Sequence, residues 1–174
     1  MTIKYIIGHW TAGNKTPSTY EKKCYQLLID NIGKVHEGTP AGNTASIGGM
    51  NSITYNIACC GGLASSKLSK KQVEEFCFQV SKKLKQYGLS VDKFYTHAEI
   101  GEMTRNYLQK NLPDPDCDGK KITEILPWNN YLKQNIGKID LRELPDECVN
   151  TISYTAGYSG KYLRRKIRWY YQNK

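Results

Sequence analysis

Short apolar runs separated by turn residues are the strongest constraint on how this 174-residue chain folds. Residues 3–8 (Ile-Lys-Tyr-Ile-Ile-Gly), 24–30 (Cys-Tyr-Gln-Leu-Leu-Ile-Asp), 53–60 (Ile-Thr-Tyr-Asn-Ile-Ala-Cys-Cys) and 91–96 (Val-Asp-Lys-Phe-Tyr-Thr) each read as a strand. Asn31-Ile32-Gly33 turns the second run into a short further strand over 34–37, and Gly61-Gly62 ends the third. One segment has the other period. Ser69 with Gln72 makes a capping box, and Val73, Phe76, Cys77, Val80 and Leu84 recur on one helical face. Lys82, Lys83 and Lys85 lie off that face, and Gly88 supplies the stop. A final basic helix is expected over 159–173. Strands alternating with a few helices predict an α/β (α+β) fold: one domain over 1–174, with a central mixed β-sheet and helices packed on it.

Two stretches resist assignment to strands or helices. Residues 38–52, rich in Gly, Ser, Asn and Thr, read as a long loop, a kind of segment that often carries function. From His97 to Asp140 the chain reads as irregular. Pro113-Asp114-Pro115-Asp116 lies in its middle, and a short apolar stretch lies near Ile122, Ile125 and Leu126.

The formal charge of +9 favours an anionic partner: nucleic acid, anionic lipid or bacterial cell wall. Lys161, Arg164, Arg165, Lys166, Arg168 and Lys174 crowd the last fourteen residues. Tyr162, Trp169 and Tyr170 interleave with them, but aromatics facing a core and charges facing water explain that pattern without nucleic acid. No stretch reaches the roughly 18 apolar residues of a membrane span. The N-terminus runs straight into a strand without the pattern of a secretory signal, so synthesis in the cytoplasm is expected. The six cysteines include no CxxC pair and are expected to be reduced, mostly buried thiols.

Two of the three histidines follow apolar runs. His9 precedes Trp10-Thr11-Ala12-Gly13, and His97 precedes Ala98-Glu99-Ile100-Gly101. Far downstream stands Gly137-Lys138-Ile139-Asp140. A lone histidine on an apolar strand is more often a hydrogen-bonded core residue than a ligand. Two imidazoles with one carboxylate, however, are a standard set for a catalytic zinc that keeps a fourth position open.

In this order the motifs resemble those of the type 2 N-acetylmuramoyl-L-alanine amidases, which include phage endolysins and are related to peptidoglycan recognition proteins. His9-Trp10-Thr11-Ala12-Gly13 is similar to the opening motif. Tyr25-Gln26-Leu27-Leu28-Ile29-Asp30 with Gly33-Lys34-Val35 resembles the family's Tyr-His-Phe/Tyr-Leu-Ile-Asp strand and turn. Tyr55 to Gly61 stands where the family has a Ser-Ile-Gly-Ile-Ala-x-x-Gly strand. Thr96-His97-Ala98-Glu99-Ile100 is similar to the second histidine motif, and Gly137-Lys138-Ile139-Asp140-Leu141 to the segment with the acidic ligand. Residues 162–170 resemble the last helix of small phage-type members.

The resemblance implies one Zn²⁺ per chain on His9, His97 and Asp140. Asp114, Asp116, Cys117 and Asp118 are rivals for the third place, and some relatives use cysteine there. Lys138, two residues before Asp140, matches the family's Lys-x-Asp or Lys-x-Cys spacing and favours Asp140. On that alignment residues 103–134 are an insertion. Tyr25 and Lys138 acquire catalytic roles through the same resemblance: Tyr25 orients water or donates to the oxyanion, and Lys138 supports the oxyanion. The general base stays open between Tyr25, Glu99 and zinc-bound hydroxide.

Three departures stand out. Gln26 replaces the usual histidine, Asn56 replaces the strand's first glycine, and Ala58 stands where recycling relatives carry a glutamate. The last favours the phage type. The implied function is cleavage of the amide between N-acetylmuramic acid and L-alanine by a monomeric phage or prophage endolysin. Its partner is anionic peptidoglycan, with no specific nucleic acid. Such an enzyme is made in the host cytoplasm and acts on the wall after release. A non-catalytic peptidoglycan-binding module and an intracellular muropeptide-recycling amidase are the alternatives.

Overall fold

Five strands form one sheet: β1 (Tyr5–Trp10), β2 (Leu27–Ile29), β3 (Val35–Glu37), β4 (Thr54–Cys59) and β5 (Phe94–Thr96), in the order β3-β2-β4-β1-β5. The structure is a computed structural model that describes residues 2–63, 66–110, 117–148 and 156–174. β2, β4, β1 and β5 run parallel, and β3 returns antiparallel to β2 through the Gly33 turn. This is the mixed sheet expected from the sequence.

β1 is paired on both sides and buried along its whole length, as a central parallel strand must be. Its side chains alternate. Ile6 and Trp10 join an apolar core shared with α2 (Lys70–Gln86) and α5 (Ala156–Asn173), while Tyr5 and Ile7 join a second core on the opposite face. α2 buries the predicted stripe Val73, Phe76, Cys77, Val80 and Leu84. Burying one such large side chain contributes roughly 1.5–3 kcal/mol. Its N-terminus is closed by the reciprocal Ser69–Gln72 box, as read from the sequence.

Several stretches differ from the expectation. Of the run 91–96 only Phe94–Thr96 is strand, Val91–Lys93 forming a 3₁₀ turn. The run 24–30 is not one strand. Ser18 and Glu21 form a capping box that opens α1 (Thr19–Cys24), so Cys24 ends a helix and the strand shortens to Leu27–Ile29. The segment after His97 is also more regular than it reads. Thr96 and Glu99 form a third capping box, starting α3 (His97–Leu108), whose Ile100 and Met103 reach the second core at helical spacing. α4 (Ile122–Ile125) and a 3₁₀ segment (Asn130–Asn135) follow. Pro113, Asp114, Pro115 and Asp116 lie outside the described residues. The last helix starts at Ala156, ahead of the expected 159. Among the described residues no helix is long and apolar enough to cross a membrane.

This topology places two chemistry-bearing positions at one end of the sheet. His9 is the penultimate residue of β1, and His97 is the first residue after neighbouring β5. The carboxyl ends of parallel strands are where open α/β sheets present their ligand sites.

Candidate metal centre

His9, His97 and Asp140 converge here. Asp140 Oδ2 lies 3.1 Å from His9 Nδ1 and 3.0 Å from His97 Nδ1. The ring centroids of the two imidazoles are 4.8 Å apart, edge to face. One ligand atom from each residue lies within 4.8 Å of the other two, and among the described residues no other group of His, Cys, Asp and Glu does this. Both rings are buried, and Asp140 is partly open to solvent.

The backbone explains how Asp140 arrives. Leu141 is fully buried, and its φ of 59° is in the left-handed region, which a leucine enters only when its surroundings hold it there. Leu141 fills the space beside Gly8, where a Cβ would stand only 2.8 Å from Leu141 Cδ1. So the residue before His9 lacks a side chain where the residue after Asp140 inserts one. A packing contact between neighbours thereby sets the two ligands opposite each other.

The second nitrogen of each ring meets a carboxamide. His9 Nε2 lies 3.0 Å from Asn56 Oδ1, and His97 Nε2 lies 3.0 Å from Asn135 Oδ1. Asn56 is tied in turn to Gln26 and Thr44, and Asn135 to Gly48. Asn135 and Thr44 carry no motif that would single them out from sequence. Gln26 and Asn56 were visible only as departures from a familiar pattern.

Charge favours a cation at this point. Burial lowers the pKa of His9, more than the facing carboxylate raises it, so the ring is neutral near pH 7. Burial acts to raise the pKa of Asp140, but the two imidazoles overcome it and hold the carboxyl well below the usual range. Two imidazoles and a carboxylate suit zinc in kind and number.

Of the other residues singled out by sequence, Tyr25 stands beside the triad, its ring centroid 5.1 Å from that of His9. Burial, helped by the Asp140 charge, raises its phenol pKa well above the ordinary value, so it keeps its proton. Lys138 is exposed on the turn before Asp140, its backbone N–H donating to Asn135 O at 3.1 Å. Glu99 is committed elsewhere. Its oxygens accept from Arg164 at 2.8 and 3.0 Å and from the Thr96 N–H at 2.8 Å, in a fully buried pair. Cys117 belongs to the second apolar core, and Asp118 pairs with Arg164 and Lys161.

Comparison with known proteins gives a family. The family model described as N-acetylmuramoyl-L-alanine amidase matches residues 1–115. No curated protein matches the chain. Among solved structures, the endolysin amidase LysCS from Clostridium intestinale URNW is 16% identical, covering 55% of this chain and 69% of its own, with a TM-score of 0.46. Drosophila peptidoglycan recognition protein SA is 23% identical, covering 54% and 65%, with a TM-score of 0.45. The E. coli amidase AmiD, solved with anhydro-N-acetylmuramic acid-L-Ala-D-γ-Glu-L-Lys, is 14% identical, covering 64% and 60%, with a TM-score of 0.47. The family match, and not these distant likenesses, carries the assignment.

Proposed function

We propose, from the premise that the chain belongs to the N-acetylmuramoyl-L-alanine amidase family, that it hydrolyses the amide joining N-acetylmuramic acid to the L-alanine of the peptidoglycan stem, using one zinc ion held by His9, His97 and Asp140. The observation that carries the reading is the meeting of two histidine Nδ1 atoms and one carboxylate oxygen within 4.8 Å at the end of β1 and β5. Zinc bound there supplies Lewis-acid polarisation of the scissile carbonyl and a water that ionises near neutral pH.

The chain's own residues do the rest. His9 and His97 are each held at Nε2 by a carboxamide oxygen, so neither turns away from the cleft. Tyr25 keeps its proton, so its hydroxyl donates to the oxygen that gains charge and does not act as the base. Lys138, exposed two residues before Asp140, is assigned the cation that supports the developing negative charge. Glu99 has no free oxygen for proton exchange and serves to anchor α3, whose first residue is His97. The net charge of +9 suits an anionic wall polymer. Ala58, at the position of the recycling enzymes' glutamate, favours a lytic role of the endolysin kind, acting as a monomer on the wall after release from the host cytoplasm.

Mass spectrometry of muropeptides after digestion of purified peptidoglycan tests this. The expected products are free stem peptides with new L-alanine amino groups and glycan with free lactyl carboxylates, both lost in His97→Ala and Asp140→Asn. Wall lysis without new amino groups, or full activity in His97→Ala, would overturn it.

A further inference from the structure

The hydrogen bonds behind the two histidines determine which ring nitrogen carries the proton. Asn135 makes two bonds with the backbone of Gly48: its Oδ1 accepts from the Gly48 N–H at 2.9 Å, and its Nδ2 donates to Gly48 O at 2.9 Å. Backbone groups have no choice of role, so the amide cannot be flipped. Its oxygen is therefore the atom that meets His97 Nε2, which must donate. Asn56 is fixed by a longer route. The Thr54 hydroxyl donates to Met50 O at 3.1 Å, so toward Asn56 Nδ2, 3.3 Å away, it can only accept. Gln26 Oε1 accepts from the Asn56 N–H at 2.5 Å, which turns Gln26 Nε2 toward Thr44 Oγ1 at 3.1 Å. Thr44 Oγ1 also accepts from Asn56 Nδ2 at 3.2 Å. The Asn56 oxygen therefore meets His9 Nε2, which must donate as well.

Both supports lead to one segment. Thr44 and Gly48 belong to the loop between β3 and β4, which runs over 38–50 before the 3₁₀ turn Asn51–Ile53. That loop is pinned into the second core by Ile47 and Met50, both almost fully buried. Thr44, Gln26, Asn56 and Asn135 are buried too. Water therefore offers these amides no substitute partner, and a broken link leaves a buried polar group unpaired.

We propose that Asn56 and Asn135 are positioning residues that hold both imidazoles in the Nε2–H tautomer with Nδ1 presented to the metal, and that the 38–50 loop, through Thr44 and Gly48, ties the two supports into one frame. The pairing of Gln26 with Asn56 follows from this. Together they replace a histidine and a glycine of the familiar pattern with a connected polar network. The inference rests on the zinc reading above and adds the residues that set the affinity. Partners of this kind typically change metal affinity by about 10- to 100-fold when removed.

The test measures zinc affinity by competition with a chromophoric chelator, alongside ¹⁵N ring signals of the zinc-loaded protein, in which the metal takes the Nδ1 position that faces Asp140 without it. Wild type should bind one zinc per chain and show Nε2–H signals for both histidines. Asn56→Ala and Asn135→Ala should each bind zinc about 10- to 100-fold more weakly and lose the hydrogen-bonded Nε2–H signal of their own ring. Asn135→Asp keeps an oxygen for His97 Nε2–H and the Gly48 N–H but loses the donor to Gly48 O, so it should lose less than about tenfold in affinity. Thr44→Val touches neither ring, yet should weaken binding about fivefold, the value of the hydrogen bond from Asn56 Nδ2, the one of its two that bears directly on a ring support. If the alanine variants fail to fold, Asn135→Asp and Thr44→Val decide the matter alone. Folded alanine or valine variants with affinity within about threefold of wild type, or zinc-loaded wild-type rings that coordinate through Nε2, overturn the inference and leave the amidase reading standing. A wild-type protein that cleaves wall but binds no zinc overturns both the inference and the metal assignment.

Discussion

Replacing Gly8 by alanine should damage stability and site together, because one methyl group reaches both. The added Cβ would stand 2.8 Å from Leu141 Cδ1, 2.9 Å from Phe76 Cζ and 3.0 Å from Phe94 Cζ. Carbon atoms pack best at roughly 3.5–4.0 Å, so each neighbour must retreat by about 0.5–1 Å. All three are fully buried, and the two phenylalanine rings already pack edge to face with centroids 6.0 Å apart. Overpacking of this kind costs about 1–3 kcal/mol, offset by the roughly 0.5–1 kcal/mol that glycine loses to alanine in a strand. A net loss of about 1–2 kcal/mol in urea unfolding of the metal-free protein is expected. Leu141 is the most movable of the three, since it stands in a turn while Phe76 and Phe94 stand on α2 and β5, and its displacement carries Asp140 away from the imidazoles. Zinc affinity should therefore fall as well. Leu141→Ala alone should cost about 2–5 kcal/mol. The double variant should cost at least about 1 kcal/mol less than the sum, because the new methyl enters the vacated space. Additive losses, or Gly8→Ala as stable as wild type to within about 0.5 kcal/mol, would refute the proposed coupling.

Other outcomes follow from named contacts. Tyr25→Phe should leave zinc affinity unchanged and lower kcat by about 10²–10³-fold if the hydroxyl donates to the oxyanion; equal rates in a wall-digestion assay would remove it from the chemistry. Arg164→Met strands the buried Glu99 carboxylate, so chemical unfolding should show a loss of about 3–5 kcal/mol at neutral pH, partly recovered in Arg164→Met/Glu99→Gln. Asp30 is buried, and burial acts to raise its pKa, yet His36 and the N–H groups of Lys34 and Ile32 outweigh that and leave it lowered. A lowered carboxyl contributes stability above its unfolded pKa of about 3.9 and loses it as pH falls through its folded value. Urea midpoints of Asp30→Asn should therefore lie below wild type at pH 7, and the two proteins should converge below about pH 4.

Much of this was legible because local rules suffice for it. The α2 stripe from Val73 to Leu84 and its Ser69–Gln72 box specify a helix without help from the rest of the chain. α3 is harder to read, although Thr96 and Glu99 spell the same kind of box, because His97 follows an apolar run typical of a strand and Pro113 and Pro115 beyond it point to a loop. α1 was hidden by the apolar run that follows it, which blurred the boundary at Cys24. At the site, His9 and His97 announce themselves by residue type. Asp140 needs the fold, since its approach depends on a left-handed Leu141 and a bare Gly8 far away in sequence. Glu99 looked like a possible base because it neighbours His97, yet its partner Arg164 lies 65 residues on, and no sequence pattern announces that pairing. Asn135 and Thr44 are ordinary polar residues until the fold sets Asn135 against His97 and Thr44 against Asn56.

X-ray absorption at the zinc edge, on protein that is active against purified wall, tests the central claim most directly. Two imidazole nitrogens at about 2.0–2.1 Å with carboxylate and solvent oxygens, and loss of bound zinc in Asp140→Asn, are the predicted result. A sulfur scatterer at about 2.3 Å would bring a cysteine such as Cys117 into the centre in place of Asp140 and contradict the account.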